Sequence, residues 1–439
     1  MISSLLSKVV SKGTKQSRAF TLPAAQRLVR GAKEESNVTV VKPKERSTTT
    51  VETAKVFLND HDYTEQPESV VKRPFGYTFG GGPGAVRDVV KKRAAVEMVE
   101  GGLLEMSHRE KGPVHELLLS TQDLIRDLLM VPKDYSILFI QGGAHAQFSA
   151  IPLNFGANPK TVACITGSWS AKASAEQKKF SQLVEYRPSQ LISNKEILSG
   201  FVAKLNNEEE IDYGYLCTNE TMQGIQLTRD DFLSTTNVPI ASDSTSDLFS
   251  RKMDISKYGV VFASGGKNLG PAGFAVVIVK NDILHNRVAS STIPSILSWK
   301  EYADSKPIPN LFNTPPLLSI GLAKMVLDDL AKRGGVEWAE KRGMELSREL
   351  YNEIDASNGF YVNQIPKELR SHISVVFSIP WDKTLEAKFI KQAEQRGLFQ
   401  LNNHPSVGGM RASLYNAVPG RAVELLIKFM REFRKLNSK

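Results

Sequence analysis

The sequence predicts an α/β fold, with a large domain built on a mostly parallel sheet sandwiched by helices and a smaller C-terminal α/β domain. Three observations carry this. Short Val/Ile/Leu/Phe runs of strand length alternate with longer stretches of helical periodicity through the middle of the chain. From about residue 317 the pattern changes to long amphipathic helices, as a second domain would require. A chain of 439 residues, 41% hydrophobic and 23% charged, can also bury a core large enough for two domains.

Taken in order, residues 1–33 mix Ser, Leu and Val with Lys8, Lys12, Lys15, Arg18, Arg27, Arg30 and Lys33 and contain no acid. That is the composition of an organellar transit peptide, and mitochondrial import is the expectation, with a plastid address or a cytosolic basic tail as alternatives. These seven charges account for most of the net +9, leaving +2 for the remainder. No basic stripe survives in the body to support nucleic-acid binding. Residues 34–72 are polar, mixed in charge and Thr-rich, and read as a linker. The large domain is placed at residues 73–334 and the small one at 335–439. Within the first, "HELLLSTQDLIRDLLM" reads as helix, "YSILFI" as strand and "SAEQKKFSQL" as helix, followed by the strands "YGYLC", "VPIASD" and "GVVFAS". The second holds "SHISVVFSI" and the closing helix "GRAVELLIKFMREFRKL". No apolar run reaches the roughly 18 residues of a membrane span, so no membrane insertion is expected. Cys164 and Cys217 sit singly in apolar runs and read as buried structural thiols in a reducing compartment.

In open α/β sheets ligands collect at the carboxyl ends of strands. Four loops there are unusual. "QGGAHAQF" follows a strand and opens a helix, so the amides around Gly142, Gly143 and Ala144 suit a phosphate. "TGSW" places Trp169, "CTNETMQG" places Asn219 and Thr221, and "VPIASD" places Asp243, each just beyond or at a strand end. The stretch "GVVFASGGKNLGPAGFAVVIVK" sets Lys267 alone among glycines that let other groups approach closely. An aldehyde cofactor such as pyridoxal phosphate needs a lysine for its Schiff base and a carboxylate for its ring nitrogen. It needs an aromatic face and phosphate donors besides. Lys267, Asp243, Trp169 and the Gly143–Ala144 loop supply one of each; a generic phosphate-ligand α/β protein is the alternative.

Over residues 74–439 the chain resembles the phosphoserine aminotransferases, fold type I, class-V enzymes that use pyridoxal 5'-phosphate. The resemblance is carried by "QGGAHAQFSAIPLNF", "TGSWSAKASAEQKKF", "TNETMQG", "DSTSDLFSRKMDISKYGVVFASGGKNLGPAG", "LFNTPP" and "HPSVGGMRASLYNAV". It implies that Lys267 forms the Schiff base and shuttles the proton, Asp243 pairs with the pyridinium, and Trp169 stacks on the ring. Thr221 would bond the phenolic oxygen. Gly143 and Ala144 would hold the phosphate, completed across a homodimer interface by Asn313 and Thr314. Arg411 would bind the substrate α-carboxylate. His108 and Arg109 from the other subunit, with His404 and His145, would hold the substrate's phosphate or side-chain carboxylate. The reaction implied is 3-phosphohydroxypyruvate plus glutamate to phosphoserine plus 2-oxoglutarate; no metal is expected.

The chain departs from the family's usual pattern at three positions. Gly266 stands where glutamine usually precedes the lysine, Pro405 where arginine usually follows the histidine, and His145 where many members carry arginine. The alternatives are an aminotransferase for another substrate, or a degenerate member serving as a structural subunit.

Overall fold

The computed structural model describes residues 76–102 and 105–438, so the expected transit segment, the linker and the start of the body at Arg73 lie outside the described residues. Strand β1 (Tyr77–Thr78) is followed by helices α1 (Asp88–Val99) and α2 (Pro113–Leu129). Proline at the first position of α2 costs no hydrogen bond, and Met130 closes the helix in the left-handed region at φ 49°. Then come β2 (Tyr135–Gln141), α3 (Ala144–Phe155), β3 (Lys160–Cys164), α4 (Ser168–Gln177), β4 (Gln182–Tyr186), α5 (Asn194–Asn207) and β5 (Tyr213–Cys217). The short hairpin strands β6 (Asn219–Glu220) and β7 (Ile225–Gln226) lead to β8 (Ile240–Asp243), β9 (Val260–Ser264) and β10 (Phe274–Lys280).

One expected helix is shorter than the sequence suggests. "SAEQKKFSQL" is helical only to Gln177; Lys178–Ser181 turn, and Gln182 and Leu183 already belong to β4. Pairing of β4 with β3, Val184 opposite Val162, outweighs local helical preference there.

Seven strands form one sheet in the order β2-β10-β9-β8-β5-β3-β4. Only β10 runs antiparallel to its neighbours β2 and β9; the other pairings are parallel. Alternate side chains leave the sheet on opposite faces. Ile137, Phe139, Val261 and Val276 enter a core with α2 and α5, whereas Leu138, Ile140, Phe262 and Val277 enter another with α3. The sheet is thus covered on both sides, which explains the unbroken apolar run of β10.

The C-terminal part adds α6 (Asn281–Asn286), α7 (Trp299–Ala303), α8 (Leu317–Lys332), α9 (Gly335–Asp355), β11 (Ser374–Phe377), α10 (Lys383–Gln395), β12 (Leu398–Phe399), β13 (Met410–Ser413) and α11 (Gly420–Asn437). Apolar residues of α11 recur three and four apart, and Val423, Leu426, Met430 and Phe433 join a separate aromatic-rich core around Phe389. Helix α9 serves both cores, Val336 and Ala339 in the first, Leu350 and Ile354 in the second. The first described residues also belong to this second core. Tyr77 pairs with Leu398 in parallel and Phe79 is fully buried there, which fixes where the following glycines run. Among the described residues no helix is long and apolar enough to cross a membrane.

Candidate active site

Because β10 is antiparallel to both β2 and β9, the C-terminal ends of β2, β3, β5, β8 and β9 lie at one edge of the sheet. Register levels them: Asp243 stands opposite Cys217 on one side and Phe262 on the other. Asp243 is buried, and its Oδ1 accepts the Thr245 amide at 3.0 Å. Burial pushes its carboxyl up to about 6, against the opposing pull of Thr245 and Lys267. A carboxylate buried at a strand end favours a protonated ring nitrogen as partner.

Lys267 follows β9 by three residues and is lowered to about 8, first by burial, then by the nearby Arg411 charge, with Asp243 opposing. Its Nζ donates to the carbonyl of Gly81, which also accepts the Tyr415 hydroxyl at 2.8 Å. Gly81 and its neighbours come from the loop after Phe79, and Gly84 N donates to the carbonyl of Gly266 at 2.9 Å. Gly82 has φ +147°, and a Cβ there would stand 3.0 Å from Lys267 Nζ, so any other residue crowds the amine. A Cβ on Gly81 would collide with the guanidinium of Arg411. Arg411 lies on β13, beside Val376 of β11, and its Nη1 donates to the Thr221 carbonyl at 3.3 Å. Its Nε is buried with no partner, and burial lowers the guanidinium. A buried orphan donor of this kind suits a carboxylate.

Trp169 sits in the first turn of α4. Its indole Nε1 donates to the Thr221 hydroxyl at 2.7 Å, and its ring is 5.8 Å from that of His145, edge to face. Thr221 keeps its own proton to donate elsewhere. Glu220, fully buried, caps α4: its carboxylate accepts the amides of Trp169 and Ser170, both at 2.8 Å, and the Ser170 hydroxyl at 2.5 Å. Sequence reasoning quoted the motif containing Glu220 without assigning it a task; the partners lie fifty residues away in sequence. The glycine loop 80–84 also went unassigned, although the run "FGGGPG" is a visible signal of close backbone approach.

Gly143 is the N-cap of α3, and the amides of Gly143, Ala144 and His145 donate to no backbone carbonyl. With Lys267, Asp243 and the Trp169 ring, these residues fit a cofactor bearing a carbonyl, a basic ring nitrogen and a phosphate. Asn313 and Thr314 lie beside the same loop in the single chain, where Gln141 Nε2 donates to Asn313 Oδ1 at 3.1 Å and to the Thr314 carbonyl at 2.7 Å. Among the described residues, His108, Arg109 and His404 make no hydrogen bond to Lys267. Arg109 is exposed, and the carbonyl of His108 only meets the His115 ring at 3.2 Å. His404 is exposed in a turn, its Nδ1 2.7 Å from the Ser406 hydroxyl. Cys164 and Cys217 are free and buried, their thiols pushed up by burial.

Comparison with known proteins gives the family. The family model for class-V aminotransferases matches residues 86–426. The chain belongs to the class-V aminotransferase family. It is 38% identical over 372 residues to a phosphoserine aminotransferase of Burkholderia ambifaria, covering 82% of this chain and 98% of the relative. Among solved structures, the phosphoserine aminotransferase of Bacillus circulans subsp. alkalophilus is 34% identical with a TM-score of 0.75, covering 83% of this chain and 99% of that one. The PLP-bound phosphoserine aminotransferase of Trichomonas vaginalis is 32% identical with a TM-score of 0.72, covering 81% and 99%.

Proposed function

We propose that this class-V aminotransferase uses pyridoxal 5'-phosphate to transfer an amino group from glutamate to 3-phosphohydroxypyruvate, giving phosphoserine and 2-oxoglutarate. The observation that carries it is the convergence of Asp243 and Arg411, with its orphan Nε, on Lys267, in a chain that spans nearly the whole length of relatives named phosphoserine aminotransferase.

When bound, the cofactor supplies a carbonyl to carry the amino group and a ring to accept electrons from the substrate Cα–H bond. The chain's residues do the rest. Lys267, lowered to about 8, is partly uncharged near neutral pH, so its amine can take up a proton and return it a short distance away. Asp243 would hold a positive ring nitrogen, Trp169 would pack against the ring, and Thr221 would donate to a ring oxygen. Amides 143–145 would receive the phosphate. Arg411 binds the α-carboxylate and so sets which substrate hydrogen faces Lys267.

The reading extends to a homodimer in which His108, Arg109, Asn313 and Thr314 complete the neighbour's site. The exposed Val89, Val96 and Val99 of α1 support it as apolar side chains in want of a partner surface. Residues 1–33 support mitochondrial import by their composition. To test the reaction, purified protein with PLP is given L-phosphoserine, then L-glutamate, while the visible spectrum is followed. Bleaching of the band near ~400 nm by both donors is the expected result. A band indifferent to both would overturn the substrate assignment.

A further inference from the structure

The strand edge carries one polar side chain that neither the fold nor the proposed reaction uses. Ser264, the last residue of β9, makes no side-chain hydrogen bond to another described residue, while its amide donates to the Thr245 hydroxyl at 3.2 Å and Ala275 of β10 stands opposite it. Its backbone is therefore fixed and its hydroxyl free. Alternation along β9 sends Val260 and Phe262 into the layer of α3, and Ser264 continues that face. The consequence is direct: the Ser264 Oγ is the nearest atom to where a Cβ on Gly143 would stand, at 3.2 Å.

Gly143 opens α3, and the first-turn amides of Gly143, Ala144 and His145 are without backbone acceptors. On the other side, Gly266 contributes no side chain, and a Cβ there would meet only Ala272, at 3.6 Å and beyond. Within the single chain, the α3 amides and a hydroxyl that faces them are donors for an anion, beside what Asn313 and Thr314 of a neighbouring subunit would add. We propose that the Ser264 hydroxyl is a ligand of the cofactor phosphate, donating to it beside the amides of α3. This rests on the reading of residues 143–144 as the phosphate site. A hydroxyl donating to a phosphate dianion makes a charge-assisted bond whose loss weakens binding by about tenfold to a hundredfold.

The test uses the full chain stripped of cofactor, titrated with pyridoxal phosphate and in parallel with pyridoxal, following the protein's fluorescence. Ser264→Ala is expected to raise the Kd for pyridoxal phosphate by about tenfold to a hundredfold and to leave that for pyridoxal unchanged. Ser264→Thr, which keeps the hydroxyl, is expected to stay close to the parent. Equal affinity of parent and Ser264→Ala for pyridoxal phosphate, or an equal loss for both compounds, overturns the proposal. A parent chain that binds pyridoxal as tightly as its phosphate overturns the phosphate-site reading as well.

Discussion

The residues at the sheet edge and those at its rim are fixed in different ways. Asp243, Ser264 and Lys267 hang from strands whose register is set by fully buried neighbours such as Phe262 and Val261, and the single chain gathers them. Arg109 and His404 lie on exposed turns held by their own sequence neighbours and make no hydrogen bond to Lys267. Residues doing bond chemistry need positional accuracy that register gives. On the proposed reading, the residues that choose a substrate lie on surface loops, where a second subunit would complete them.

Arg411 offers the sharpest way to break the contrast, since it comes from the separate β11-β13 pair, lies close enough to Lys267 to lower it, and should act on substrate. Arg411→Ala is expected to lower kcat/KM by about two to four decades, through loss of charge-assisted bonds to the carboxylate. Steady-state kinetics with saturating cofactor checks this, and a loss under tenfold would move the carboxylate site elsewhere.

Glu220 is the next test, because it orients the edge without touching a ligand. Glu220→Ala leaves the amides of Trp169 and Ser170 unpaired and should cost about 1 to 3 kcal/mol of stability, read by urea unfolding.

The amine itself tests the electrostatics. Lys267 is lowered from 10.5 to about 8, so the folded state binds fewer protons than the unfolded chain between those values. Stability of the cofactor-free protein should therefore rise with pH across that window. Lys267→Met should abolish the rise and add on the order of 1 to 3 kcal/mol at pH 7. Paired urea titrations at pH 7 and pH 9.5 decide it; an unchanged pH slope would place Lys267 in water.

The rim gives the smallest signal. If Arg109 completes the neighbour's site, the inactive variants Arg109→Ala and Lys267→Ala, unfolded and refolded together, should recover roughly a quarter of parental activity, because a mixed dimer holds one intact site. No recovery would assign Arg109 to its own chain.

The sheet and its edge were legible in the sequence because apolar runs of strand length ended in glycine, Asp243 or Trp169. Period and turn chemistry are local signals. What escaped was non-local. The end of α4 depended on β4 pairing with β3, which no window over residues 174–183 contains. Glu220 became a helix cap only when the fold brought α4 to it. The glycine loop 80–84 acquired its place from Phe79 packing among residues more than two hundred and fifty positions later.

The central claim is that Lys267 is the amine that meets the cofactor. Incubation with pyridoxal phosphate, reduction with borohydride and peptide mapping by mass spectrometry test it most directly. The account predicts a phosphopyridoxyl label on the peptide carrying Lys267 and none in Lys267→Ala; a stoichiometric label on any other lysine would contradict it.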